Sequence, residues 1–160
     1  MDKKFENQLT SFIDGHVCLM GIGNRYLHDD GVGSLIAEAL EPGAEFDVID
    51  AGFMPENYLE TVADTHPDTI LMVDATDFGG VPGEVILIQP DKVAYSGEHN
   101  QAGSLRMLVE YMQARTKARV ALVAIQPADL SAGESLSPVV SDTLKDLLET
   151  LPTICRHHAH

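Results

Sequence analysis

The sequence has few basic residues and few cysteines. Lys and Arg together number 10 against 25 Asp and Glu, which gives a formal net charge of −15. This balance disfavours nucleic acid and anionic membranes as partners, because both bind clustered Lys and Arg. The two cysteines, Cys18 and Cys155, are far apart and form no CxxC pair, so neither a disulfide scaffold nor a thiolate zinc site is expected.

Long apolar runs are also absent. No stretch approaches the roughly 20 apolar residues that cross a bilayer, and no signal-peptide pattern follows the charged start of the chain. We therefore predict a cytoplasmic protein, and we expect a monomer. The 160 residues fit a single domain over residues 1–152. Residues 153–160, which include Cys155, are predicted to be a polar, disordered tail, whereas Cys18 lies in an apolar run and is predicted to be in the core.

Short apolar runs alternate with amphipathic helical patterns along the chain. The runs are predicted strands at 17–20, 46–49, 69–73, 84–88 and 119–125. Unbroken apolar strands are typical of a mostly parallel sheet that is buried on both faces. Helical stripes follow at 32–40, 105–112 and 140–151, with a shorter helix after Pro55 and another at 3–13.

This alternation predicts a three-layer α/β/α sandwich around a twisted, mostly parallel sheet of about five strands, one of them antiparallel. The fourth predicted strand follows the third after a loop that is too short for a parallel crossover. We therefore predict that these two strands are antiparallel neighbours. In open α/β sheets, ligands bind outside the carboxyl ends of the parallel strands, which is where candidate site residues are sought.

A glycine-rich turn, Gly21 to Gly33, follows the first strand. Such a turn suggests a dinucleotide-binding fold, in which Asp50 after the second strand could contact a ribose. The fingerprint G-x-G-x-x-G, however, requires glycine where this sequence has Tyr26. Two carboxylates also occupy the helix start that would hold a phosphate, and they would repel it. Nucleotide binding is therefore kept as a less favoured alternative.

Asp29 and Asp30 are these two carboxylates. One aspartate is enough to cap a helix N-terminus. The other is then free to face the crevice, where it could bind a metal or act as a general base. The residues alone do not decide which of the two is free.

Two more residues complete the candidate site. Asp74 is the first polar residue after the third strand, while Asp77 belongs to a turn and is assigned a structural role. His99 lies in a polar loop before an amphipathic helix. An Asp, Asp, His set offers oxygen and nitrogen ligands to a divalent metal such as nickel or zinc. Neither the G-x-S-x-G nucleophile elbow nor the H-E-x-x-H zinc motif occurs in the sequence.

Several motifs in order resemble the nickel-iron hydrogenase maturation endopeptidases, across most of residues 16–150. The similarity is greatest to the group that processes the large subunit of formate-hydrogenlyase-type hydrogenases. The motifs are G-x-G-N-x4-D-D-G-x-G at 21–33, I-D-A-G-F-M-P-E-N at 49–57, V-D-A-T-D-F-G at 73–79, P-G-E-V at 82–85, H-N at 99–100 and I-Q-P at 125–127.

The resemblance implies a specific activity, that of an aspartyl-type protease. Asp30, Asp74 and His99 fall on the family's metal-contacting and catalytic positions, which selects Asp30 over Asp29. The nickel is implied to arrive in the immature large subunit and not to be a resident cofactor. The protein would then remove a C-terminal extension from this nickel-loaded precursor. A non-catalytic nickel-binding or metallochaperone module of hydrogenase assembly is the alternative.

Overall fold

The computed structural model describes residues 1–43, 45–89 and 100–157. Within them, strands alternate with helices as the sequence predicts. The strands are β1 (Val17–Ile22), β2 (Phe46–Gly52), β3 (Thr69–Ala75), β4 (Val85–Ile88) and β5 (Arg119–Ile125). The α-helices are α1 (Lys3–Phe12), α2 (Val32–Ala39), α3 (Leu59–Ala63), α4 (Asn100–Thr116) and α5 (Pro138–His157). Short 3-10 turns at His28–Gly31 and Pro55–Tyr58 precede α2 and α3.

The sheet has the strand order β2-β1-β3-β5-β4. The pairs β1–β2, β1–β3 and β3–β5 are parallel, whereas β4 is antiparallel to β5. This architecture confirms the predicted α/β fold with a mostly parallel sheet and one antiparallel strand.

The predicted pairing of the third and fourth strands is wrong. The chain returns through α4, and β5 pairs with β3 along its whole length, from Thr69 to Ala75. β5 thus separates β3 from β4, and the loop that connects β3 to β4 passes over the end of β5. There Gly83 N donates to Gln126 O (2.8 Å), and Gln126 N donates to Glu84 O (2.8 Å). A short loop excludes a parallel crossover, but it does not require that the two strands be adjacent.

The two faces of the sheet carry separate helices. Alternate residues of each strand point to opposite faces, so Leu19 joins one core cluster and Met20 the other. Side chains of α1, α2 and α5 pack in the first cluster, and side chains of α3 and α4 pack in the second. The three layers predicted from the sequence follow from this arrangement.

The boundary of the C-terminal tail requires correction. Helix α5 continues to His157, and Ile154 and Cys155 are buried in the core with Leu147 and Leu151. The apolar stripe of the helix continues beyond position 152 at the spacing i, i+4, i+7 and i+8, which keeps these residues on the buried face. Residues 158–160 lie outside the described residues.

Close packing of glycines fixes the start of α2 against the sheet. A Cβ atom at Gly33 would collide with the carbonyl oxygens of Ile22 and Val73, and one at Gly21 would collide with Gly33 O. The start of this helix therefore lies directly against the ends of β1 and β3, and the residues before it are held at the carboxyl edge of the sheet. No helix in the described part of the chain combines the length and hydropathy of a bilayer span.

Candidate active site

A cleft of about 680 Å³ opens at the carboxyl edge of the sheet. Asp30 and Asp74 line it together with Ile22 and Gly23. One wall comes from the segment after β2 together with the first residue of α3, and the other comes from α4. The wall residues are Phe53, Pro55, Glu56 and Leu59 on the first side, and Leu105, Met107, Leu108 and Tyr111 on the second. The cleft is thus an apolar trough with carboxylates inside it.

Asp30 is positioned by the 3-10 turn His28–Gly31. Its Oδ2 accepts a hydrogen bond from Asn24 N (3.0 Å), and this is the one hydrogen bond that the Asp30 side chain receives from the described residues. Burial raises the pKa of Asp30 above its usual value, and the bond from Asn24 opposes this only in part. A carboxylate in this position is costly to ionise, and a cation bound beside it would relieve that cost.

Asp74 lies near the end of β3 and is half-buried. Burial raises its pKa well above the usual value, the negative charge of Asp30 raises it further, and the Ala75 N–H lowers it only in part. The two carboxylates therefore repel each other across one cleft. Ionisable groups perturbed by desolvation and by a like charge are typical of functional sites.

Asp29 has the opposite environment. Its side chain is fully buried (0 % exposed) and points away from the cleft toward the connection between β5 and α5. One oxygen, Oδ2, accepts from Ala128 N (2.8 Å), Asp129 N (2.9 Å) and Ser137 Oγ (2.8 Å), while Oδ1 accepts from Ser137 N (2.7 Å). Burial alone would raise the pKa of Asp29, but these hydrogen bonds outweigh it and hold the pKa below its usual value. Asp29 thus ties two loops together, and only Asp30 faces the cleft.

Asp50 does not have the environment expected of a ribose ligand. Its Oδ1 accepts from Ser34 Oγ (2.7 Å) and Gly52 N (3.1 Å), and its Oδ2 accepts from Arg25 Nη2 (2.8 Å). Arg25 also reaches Glu38 (2.8 Å). These contacts clamp the glycine-rich turn to α2 and β2, which gives Asp50 a structural role and leaves the nucleotide hypothesis without support.

Asp77 has the structural role predicted for it. Its Oδ1 accepts from Gly79 N (3.0 Å) and from Gln126 Nε2 (3.1 Å). The Oε1 of the same glutamine accepts from Phe78 N (2.9 Å) and Gly80 N (3.0 Å). Gln126 therefore fixes the turn that follows Asp74. The sequence signal for this residue was its place as the first polar residue after β5.

The predicted metal set is assembled only in part. Asp30 and Asp74 meet in the cleft, while His99 lies outside the described residues. Within residues 1–43, 45–89 and 100–157, no group of three or more His, Cys, Asp or Glu is placed to hold a metal ion. Glu56, which was not predicted as a site residue, also lines the cleft. Its position in the loop after the second strand was the signal available.

Comparison with known proteins identifies relatives of this chain. Residues 31–154 match the HycI family, described as hydrogenase maturation protease; this range includes Asp74 and begins one residue after Asp30. Hydrogenase 3 maturation protease of Escherichia coli K12 is 44% identical over 78 residues, which are 48% of this chain and 50% of that protein. The match thus spans about half the length of this curated relative.

Solved structures resemble the chain over more of its length. The [NiFe] hydrogenase maturation protease HycI from Thermococcus kodakarensis superposes with a TM-score of 0.85 at 28% identity, covering 93% of this chain and 99% of that one. The endopeptidase HycI from Escherichia coli superposes with a TM-score of 0.73 at 31% identity, covering 84% and 87% of the two chains. The fold and cleft described above therefore occur in a chain similar to these proteases.

Proposed function

Because the chain belongs to the hydrogenase maturation protease family, we propose that it is an endopeptidase acting on a nickel-iron hydrogenase. Its substrate is the large-subunit precursor after nickel insertion, and its product is that subunit without its C-terminal extension. The family predicted from the sequence is confirmed by the match, whereas the substrate and the role of nickel are part of this proposal. So are a cytoplasmic location and a monomeric state.

The observation that supports the proposal is the pairing of Asp30 and Asp74 in one cleft. Burial raises the pKa of both carboxylates, and the negative charge of Asp30 further disfavours the ionised form of Asp74. A divalent cation between them would remove this repulsion, and carboxylate oxygens are suitable ligands for such a metal. The metal is the nickel that the precursor already carries, so it enters the cleft as part of the substrate. His99 is proposed as the third ligand.

Nickel binding also explains how one peptide bond is selected. Ligation to Asp30 and Asp74 fixes the neighbouring segment of the precursor in the cleft, and this converts an encounter between two proteins into a positioned reaction. Hydrolysis then adds the water oxygen to the scissile carbonyl carbon and a proton to the leaving nitrogen. A carboxylate whose pKa is raised above its usual value is suited to take the proton of the attacking water.

The proposal is tested by incubating the nickel-loaded precursor with the wild type and with Asp30→Asn and Asp74→Asn. Asp146→Asn is the matched control, because Asp146 is an exposed residue of α5 outside the cleft. The wild type and the control are expected to shorten the precursor, as measured by intact mass, and the two cleft variants are not. Full activity of Asp30→Asn and Asp74→Asn would overturn the proposed roles.

The same experiment tests the metallochaperone alternative. That function requires tight nickel binding by the isolated chain and leaves the mass of the precursor unchanged. Calorimetric titration of the wild type with a nickel salt, together with the intact mass of the precursor, therefore separates the two. Tight binding of free nickel with no shortening would favour the chaperone.

A further inference from the structure

Two large apolar side chains are exposed on opposite walls of the cleft. Phe53 follows β2 and is 63% exposed, and Met107 lies on α4 and is 72% exposed. Neither belongs to a core cluster, so the described core does not depend on them. Exposed apolar groups that line one concave surface mark a binding site for an apolar partner.

The two walls are held together at one end. Glu60 of α3 accepts hydrogen bonds from Tyr111 Oη (2.8 Å) and Arg115 Nη2 (3.0 Å) of α4. Phe53 and Met107 therefore line the same cleft as Asp30 and Asp74, on walls joined through α3 and α4. A segment bound in this cleft would therefore meet both exposed apolar surface and negative charge.

Charge limits the choice of occupant. The cleft contains Asp30, Asp74 and Glu56, and none of its described lining residues is Lys, Arg or His. A partner that complements this cleft therefore brings positive charge to it. A second copy of this chain is a poor candidate, because each copy carries a formal net charge of −15.

We propose that Phe53 and Met107 are docking residues that contact apolar side chains of the precursor on either side of its nickel centre. This inference rests on the proposed function and adds the chemistry of the docked segment, which is apolar at both flanks and cationic between them. The apolar contacts do not require the metal. The walls therefore contribute to binding of the metal-free precursor as well, although that form is not cleaved.

The test compares Phe53→Ser and Met107→Ser with two control variants of equal chemistry. Met54 is exposed and adjacent to Phe53 but does not line the cleft, so Met54→Ser is the first control. Val139→Ser, at an exposed residue of α5, is the second. Binding of the metal-free precursor is measured by calorimetry, which avoids turnover. Cleavage of the nickel-loaded precursor is measured in the steady state.

Each docking variant is expected to raise the Kd and the KM about tenfold, which is typical of a residue central to an interface. The kcat of the docking variants is expected to stay within about twofold of the wild type, because uniform binding affects KM alone. The Kd and KM of the two control variants are also expected to stay within about twofold of the wild type. Unchanged Kd and KM in Phe53→Ser and Met107→Ser would overturn the inference. So would equal losses in the controls, no binding of metal-free precursor by the wild type, or an effect of Phe53→Ser on self-association in sedimentation.

Failure of the proposed function gives a different result. A wild-type chain that binds the precursor but never shortens it would contradict the endopeptidase. If Phe53→Ser still weakened binding of the precursor in that case, the docking role of Phe53 would be retained although the endopeptidase function was not.

Discussion

Asp29 and Asp30 are adjacent, yet replacing each by asparagine is expected to have opposite consequences. Asp29→Asn should destabilise the fold, whereas Asp30→Asn should abolish cleavage and leave the fold stable. The reason is that Asp29 accepts four hydrogen bonds in a fully buried position, while Asp30 accepts one from the described residues and lines the cleft.

The loss of stability expected for Asp29→Asn follows from the hydrogen-bond partners of Asp29. In the best orientation the asparagine oxygen faces Ala128 N, Asp129 N and Ser137 Oγ, and its NH₂ group then faces Ser137 N. The partly buried N–H of Ser137 is left without an acceptor, which costs about 1–3 kcal/mol, and three charge-assisted bonds become weaker neutral ones. We expect a total loss of about 3–5 kcal/mol in the free energy of unfolding, a large part of the 5–15 kcal/mol typical of a domain.

Acid dependence gives a second measure of the same contacts. Because the pKa of Asp29 is lowered in the folded state, its contribution to stability is fully present above the unfolded pKa of about 3.9. This contribution is lost as the pH falls through the folded pKa. Asp29→Asn lacks it at every pH, so the difference between wild type and variant should narrow in acid.

The assay is urea denaturation followed by circular dichroism at pH 7, paired with cleavage of the nickel-loaded precursor. Asp30→Asn is expected to unfold within about 1 kcal/mol of the wild type, because its amide oxygen can still accept from Asn24 N. An Asp29→Asn protein as stable as the wild type would refute this interpretation of the pair. So would an Asp30→Asn protein that loses as much stability as Asp29→Asn.

Three further predictions concern the cleft and the sheet. Asp74→Asn should raise the free energy of unfolding at pH 7, because the pKa of Asp74 is raised in the folded state and its ionised form is therefore destabilising. This gain in stability should vanish below the unfolded pKa of about 3.9. Urea denaturation at pH 7 and pH 3 tests this, and the absence of a gain at pH 7 would contradict it. Gly33→Ala should cost about 1–3 kcal/mol through collision with the backbone of Ile22 and Val73; an unchanged Tm in calorimetry would contradict this. The kcat/KM for cleavage should rise with pH as Asp30 and Asp74 lose their protons above the usual aspartate range, since the ionised forms bind the cation. A kcat/KM that does not change between pH 4 and pH 7 would contradict the proposed ligand role.

The sequence predicted most of the fold because the signals were local. Apolar runs and helical stripes lie within single elements, and the structure has strands and helices at the predicted places. The partner of β4 was predicted wrongly, since strand neighbours depend on where the later strand β5 inserts. The end of α5 was placed too early, although its apolar stripe extends through Ile154 and Cys155.

The candidate site was predictable to the extent that it follows from strand ends. Asp30 lies in the turn between β1 and α2, Asp74 lies within the end of β3, and the structure places both in one cleft. The separate roles of Asp29 and Asp30 needed the family resemblance, because the partners of Asp29 are 99 to 108 residues away in sequence. His99 as a ligand stays a prediction.

The proposed recognition of nickel is tested most directly by comparing nickel-loaded and metal-free precursor as substrates of the wild-type chain. Intact mass spectrometry of both precursors after equal incubation gives the result. We predict that only the nickel-loaded precursor is shortened, and that Asp30→Asn and Asp74→Asn shorten neither. Equal shortening of the two precursors by the wild type would contradict the role assigned to the carboxylate pair.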